Sequence, residues 1–235
     1  HGGGASLNLY SSNMQMSYAQ QGSGFAFPVP PDQMSVGAGD VIVRDRGHAG
    51  MTLRSFCEHA MAKGAQLTLA EVAAIRCYSG PMFAPINNAL RTQNIADWAT
   101  TIGCCYSGVL KLSFSSQPAR VYRGVNETDM QLPDDFLRRE EGKFAGGVER
   151  AFMSTTKSPA VALDYSGGEA TSGSLFVIDF DMNSRGASIQ WLSQYPHEEE
   201  LLFPPCTGLS CRDVSQHSLH SNELDDSANQ QLQEA

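Results

Sequence analysis

The spacing of apolar residues changes character part-way along this chain, and that change limits its fold more than any single motif. Up to about residue 109 the apolar positions recur at helical intervals. Thr52, Leu53, Phe56 and Ala60 mark one helix, which Gly64 stops. Thr68-Leu69-Ala70-Glu71 reads as a capping box with Thr68 as N-cap, opening a helix whose apolar side carries Val72 and Ile75. Ile86 and Leu90 mark a further helix, and Ile95, Trp98, Ile102, Tyr106 and Val109 recur on a longer one. Core packing accounts for these stripes. Beyond them the pattern turns strand-like. Leu110, Leu112 and Phe114 alternate, Val121-Tyr122-Arg123 is β-prone, and Ala151 to Thr156 suggests a strand. Leu175 to Phe180 reads as the clearest buried strand and Glu200 to Phe203 as another. Short helices are expected between them. One starts near Pro133, where the missing N–H costs nothing. One is capped by Ser158-Pro159 and runs to Gly167-Gly168. Helices first and strands later predict an α+β fold rather than an alternating α/β one.

The 235 residues suffice for one domain with a sizeable core. Residues 1–39, rich in Gly, Ser, Gln and Pro, read as a flexible arm or linker, and Gly37-Ala38-Gly39-Asp40 at their end as a turn. Residues 40–209 hold the working domain, and 210–235 read as a polar, mobile tail. The chain starts at His1 without a signal-like segment, so trimmed ends are expected. A net charge of −9 argues against a nucleic-acid partner and suits a cationic protein surface better. No apolar run is long enough to span a bilayer, so no membrane partner is expected. The six cysteines mostly sit inside apolar patterns and read as buried, reduced thiols, which favours a reducing, cytoplasmic compartment. Cys206, Cys211, His217 and His220 lack the spacing of a zinc site, and no metal is expected.

One run stands apart: Tyr195-Pro196-His197-Glu198-Glu199-Glu200-Leu201-Leu202-Phe203-Pro204-Pro205. In an extended chain Glu198 and Glu200 point to one side and Glu199 to the other. Two carboxylates on one face make each other harder to ionise. A solvated acidic loop entering a strand would show the same letters, so the company of the run matters. Upstream, Arg123 ends a β-prone stretch and is followed by Gly124, and Ser154-Thr155-Thr156 closes another. An arginine fork matches phosphate oxygens. A glycine beside it allows close backbone approach. A glutamate near a ribose stabilises the positive charge that develops when a glycosidic bond breaks.

Together these stretches resemble the mono-ADP-ribosyltransferases of the Arg–Ser–Glu class, the group of the clostridial binary toxins and the vertebrate ecto-transferases. The resemblance rests on Val121-Tyr122-Arg123-Gly124, Phe152-Met153-Ser154-Thr155-Thr156 and Ser193 to Leu201, in the family's order. Leu67 to Arg91 is similar to the helices that precede the first arginine in such enzymes. The resemblance implies a helical N-terminal lobe packed on a mixed, mainly antiparallel two-sheet β core. It implies NAD as co-substrate, nicotinamide as leaving group and no metal. Arg123 would grip the NAD phosphate and ribose, Gly124 the nicotinamide amide, and Ser154 would orient Glu200, the catalytic carboxylate. Thr155 completes the serine motif, Tyr165 would pack on nicotinamide, and Tyr78 and Asn87 would touch the adenosine side. Glu198, in a Glu-x-Glu pair, would face the acceptor, as in the arginine-modifying branch, so the expected partner is a protein with an exposed arginine. A NAD glycohydrolase and a catalytically silent nucleotide- or partner-binding domain remain the alternatives.

Overall fold

A computed structural model of the chain describes residues 33–36, 41–126, 132–137, 144–166 and 173–215. Its first half is helical, as the spacing predicts, with one division the spacing does not show. The expected helix from Thr52 is two short ones, α1 (Leu53–Cys57) and α2 (Ala60–Gly64). His59 between them is extended, and its Nδ1 accepts from Met61 N at 3.2 Å, so it caps the second helix instead of continuing the first. Gly64 ends α2, where a stop is expected.

The capping box opens α3 (Leu69–Cys77) as predicted. Thr68 N donates to Glu71 Oε2 at 2.7 Å, and Glu71 N donates to Thr68 Oγ1 at 3.3 Å. A π turn (Tyr78–Met82) leads to α4 (Phe83–Thr92), and a 3₁₀ turn (Ala96–Trp98) leads to α5 (Ala99–Ser113). Ser107 and Lys111 of α5 reach Glu71 at 2.6 and 2.7 Å, tying α5 to α3. Burial pushes the Glu71 carboxyl up, but Lys111, Ser107 and Thr68 outweigh it and hold the group at about 2. Ile95 and Tyr106 of the long stripe are exposed, and Ile102 and Val109 carry its buried side.

Leu110, Leu112 and Phe114 do not form a strand. Leu110 and Leu112 belong to the last turns of α5, where Leu112 is buried beside Val109, and Phe114 is 74% exposed beyond the helix end. Three alternating positions fit either period, and the helix already running through Val109 wins.

Among the described residues the strands make three antiparallel groups. A five-stranded sheet has the order β6-β3-β5-β8-β7, from β3 (Ala119–Asn126), β5 (Met153–Thr156), β6 (Gly173–Phe180), β7 (Ala187–Ser188) and β8 (Glu200–Phe203). A small sheet pairs β4 (Gly146–Glu149) with β9 (Thr207–Ser210), and β1 (Gln33–Val36) pairs with β2 (Val41–Arg44). This is the expected α+β fold with its two-sheet core. Strand β1 falls in the stretch read as an arm. Short helices α6 (Asp134–Leu137) and α7 (Pro159–Tyr165) lie where Pro133 and Ser158 place them.

Strand alternation splits the core. Leu202 packs with Phe56, Ile75, Tyr78, Ile86 and Phe152 on the helical side. Its neighbours Leu201 and Phe203 pack with Val121, Met153 and Phe180 on the other. The expectation for Leu175 to Phe180 needs correction: among the described residues β6 is an edge strand whose partner is β3, and Val177 is 43% exposed. The buried strand is β8, which has neighbours on both sides. The cysteines also differ from expectation. All six are free, but only Cys105 is fully buried and Cys206 is exposed. Gly37-Ala38-Gly39-Asp40, Gly167-Gly168, His217, His220 and most of residues 210–235 lie outside the described residues.

Candidate active site

Three neighbouring strands in the middle of the large sheet carry Arg123 (β3), Ser154 (β5) and Glu200 (β8). The register sets Tyr122 opposite Thr156, Thr156 opposite Glu200, and Ser154 opposite Leu202. The register sets the three on adjacent strands, and side-chain hydrogen bonds join them. Arg123 Nη1 donates to the Ser154 carbonyl at 2.8 Å, and the Ser154 hydroxyl bonds the Glu200 carboxylate. Glu200 is only 5% exposed. Burial drives its carboxyl up to about 7, and Glu198 adds to the rise, while Ser154 and Arg123 oppose it. Burial likewise lowers the Arg123 guanidinium from its usual range, with Glu149, Tyr78 and Glu200 pulling it back. Glu149 also holds Arg91 of α4 by a fork of 3.2 and 3.1 Å, which places a second guanidinium beside Arg123. The sequence reading has no role for Glu149, whose partner on α4 is 58 residues away.

The Glu198 turn reaches the expected outcome by a different route. Pro196–Glu198 is a 3₁₀ turn, Glu199 is left-handed (φ 48°), and only Glu200 is in a strand. Strand alternation therefore does not place the pair. The reversal at Glu199 exposes that residue and turns Glu198 and Glu200 inward. Thr156 Oγ1 donates to the Glu198 carbonyl at 2.6 Å, and Tyr165 Oη donates to Glu198 Oε1 at 2.5 Å. Burial raises the Glu198 carboxyl, while Tyr165 and His197 pull it down.

The start of the turn is held from the helical half. Gln194 Nε2 donates to the Arg76 carbonyl at 2.7 Å, and Gln194 Oε1 accepts from Arg44. Asp45 N donates to the Gln194 carbonyl at 2.7 Å, and Gln194 N donates to Ser79 Oγ at 3.1 Å. Arg76 completes the anchor, with Nη1 on the Leu192 carbonyl at 2.8 Å and Nη2 on Asp45 Oδ1 at 2.7 Å. A side chain on Gly80 would meet Gln194 Nε2 at 2.3 Å, so a Cβ there would push the anchoring amide out of place.

A family model described as ADP-ribosyltransferase exoenzyme matches residues 54–234. The chain belongs to that family. The match extends beyond the boundary expected at residue 209. No curated protein matches. Among solved structures, the ADP-ribosyltransferase HopU1 of Pseudomonas syringae pv. Tomato DC3000 is similar, at 22% identity and a TM-score of 0.56, over 72% of this chain and 84% of that one. The ADP-ribosyltransferase Vis of Vibrio splendidus, solved with its M6 inhibitor, is similar at 20% identity and a TM-score of 0.50, over 74% and 84%. These likenesses show the ADP-ribosyltransferase fold.

Within this ADP-ribosyltransferase fold, four expected binding residues are engaged by the protein itself. A Cβ on Gly124 would lie 1.7 Å from the Ala162 carbonyl, so this glycine admits helix α7 against β3. Thr155 is buried, and its hydroxyl donates to the Leu201 carbonyl at 2.9 Å, joining β5 to β8. Tyr78 is 1% exposed, packs on Phe152 with ring centroids 5.0 Å apart, and accepts from Asn87 Nδ2 at 2.9 Å. Asn87 also donates to the Phe152 carbonyl at 3.4 Å. These contacts make Tyr78 and Asn87 a support for the strand that carries Ser154. Tyr165, by contrast, is 59% exposed and reaches the site through its hydroxyl.

Proposed function

We propose that this ADP-ribosyltransferase takes ADP-ribose from NAD and transfers it to an arginine side chain of a protein, releasing nicotinamide. The observation that carries this reading is the joining of Arg123, Ser154 and Glu200 on three adjacent strands, with Glu198 turned inward beside them. A guanidinium, a hydroxyl and a carboxylate in that order suit the phosphate, the ribose and the charge that develops on it.

The bond between ribose C1′ and the nicotinamide nitrogen breaks, and its electron pair leaves with a neutral nicotinamide, so no general acid is needed. The ribose is left cationic, and an ionised Glu200 stabilises it. A guanidinium nitrogen of the acceptor forms the new bond to C1′ and loses a proton. Free arginine holds that proton tightly. In this reading Glu198 accepts it, and burial raises its carboxyl, which improves it as a base.

Purified protein incubated with NAD and an arginine-rich acceptor should release nicotinamide and add one ADP-ribose mass per modified arginine. Glu200→Gln should slow nicotinamide release by about 10²–10³-fold. Unchanged release in that variant removes Glu200 from the chemistry.

A further inference from the structure

Tyr165 is half-exposed, and its hydroxyl makes the closest side-chain contact recorded for Glu198. We propose that Tyr165 is a positioning residue whose hydroxyl fixes Glu198 for a guanidinium acceptor and so favours transfer to arginine over loss of ADP-ribose to water. The inference rests on the arginine reading above and assigns Tyr165 a role through its hydroxyl, whereas the resemblance implies one through its ring.

The geometry is specific. Tyr165 Oη donates to Glu198 Oε1 at 2.5 Å, which leaves Glu198 Oε2 for a second partner. Thr156, nine residues earlier, donates to the carbonyl of the same glutamate at 2.6 Å. One continuous segment, β5 through α7, thus holds Glu198 by both main chain and side chain. Helix α7 is itself fixed, because Ser158 Oγ accepts from Val161 N at 3.4 Å and Gly124 lets the Ala162 carbonyl close onto β3. A planar guanidinium needs a carboxylate oxygen at a defined place, and water does not. A loose Glu198 would still permit hydrolysis, which depends on Glu200.

The groups that act on Glu198 are Tyr165 from α7 and His197 on its own turn, and Glu198 in turn raises Glu200 of β8. The Tyr165 hydroxyl and His197 favour the ionised form, and burial opposes it. Removing the hydroxyl therefore shifts Glu198 ionisation to higher pH.

The test compares wild type, Tyr165→Phe and Tyr165→Leu. Nicotinamide release into water is measured without acceptor, and transfer is measured to a small guanidine (arginine amide) at saturating NAD. With Tyr165→Phe, the ratio of transfer to hydrolysis should fall about tenfold. The transfer profile should move to higher pH while the hydrolysis profile stays in place, and KM for NAD should hold. A ring that merely packs on nicotinamide predicts the opposite pattern: Tyr165→Phe unchanged and KM for NAD raised only in Tyr165→Leu. That result overturns the proposal, as does a wild-type ratio in Tyr165→Phe with both profiles unmoved. A wild-type protein that hydrolyses NAD but never labels the guanidine removes the arginine reading first, and this inference with it.

Discussion

The two carboxylates of the Glu-x-Glu pair are held in opposite ways. Glu200 is placed by its sheet neighbours: β5 lies beside it, Ser154 bonds it, and Arg123 is one strand further on. Glu198 is placed by residues from both halves of the chain. Asp45, Arg76 and Ser79 hold the start of its turn, and Thr156 and Tyr165 hold its end. The strand site is a product of three adjacent strands and the hydrogen bonds between them. The turn is a junction held by contacts from both halves. One fold can therefore keep the bond-breaking residue fixed while the residue read as acceptor-facing responds to changes far from it.

The remote anchor gives the largest expected effect. Asp45→Ala leaves the buried Arg76 guanidinium without its carboxylate, with the Leu192 carbonyl and the Phe56 ring as its recorded remaining contacts. Breaking a buried pair from one side typically costs about 3–5 kcal/mol. Denaturant unfolding should show a loss of that size. A loss below about 1 kcal/mol would mean that the turn does not depend on the helical half, and the contrast with Glu200 would disappear.

What could be read from the sequence follows the same division. The Thr68 box and the Ser158 cap were legible because each closes within three residues. Arg123, Ser154 and Glu200 were legible because each sits in a short, ordered motif, and adjacent strands carry them within reach of one another. The anchor was not legible, since Gln194 meets Arg44 across 150 positions and Arg76 across 118, and no local pattern records such a meeting. Burial of β6 was misjudged because an apolar run does not state how many neighbours its strand will have. Strands β4 and β9 escaped notice because Gly146-Gly147 and Thr207-Gly208 give them no apolar alternation. Glu198 and Glu200 were expected on one side of an extended strand, but a left-handed Glu199 breaks the strand between them.

The second test exploits the buried charge of Glu200. Its carboxyl titrates at about 7 in the folded chain against an ordinary 4.5. Between those values the folded protein holds a proton that the unfolded chain has released. The native state thus gains full stability from this group below the unfolded value and loses it as pH rises through 7. The burden at higher pH is about 3 kcal/mol. Glu200→Gln carries no charge to bury, so its stability relative to wild type should improve by up to that amount between about pH 4.5 and about pH 8. Unfolding curves at several pH values check this. A difference that does not vary with pH would show that burial is not what sets the Glu200 titration, and the strand site would then be no more demanding than the turn.

The smallest effect should come from the local tie. Thr156 Oγ1 donates to the Glu198 carbonyl and accepts from Ser158 N at 3.0 Å, so Thr156→Val removes two hydrogen bonds with little change of shape. Each bond contributes roughly 0.5–1.5 kcal/mol, so a combined loss of about 1–3 kcal/mol is expected in denaturant unfolding. The comparison with Asp45→Ala is what gives the number meaning. If the helical half fixes the turn, the Val variant should keep Glu198 near its place and lose less than the Asp45 variant. If Thr156→Val costs as much, the turn is held from the sheet side, and β5 with α7 becomes the element that positions Glu198 without help from Asp45 and Arg76.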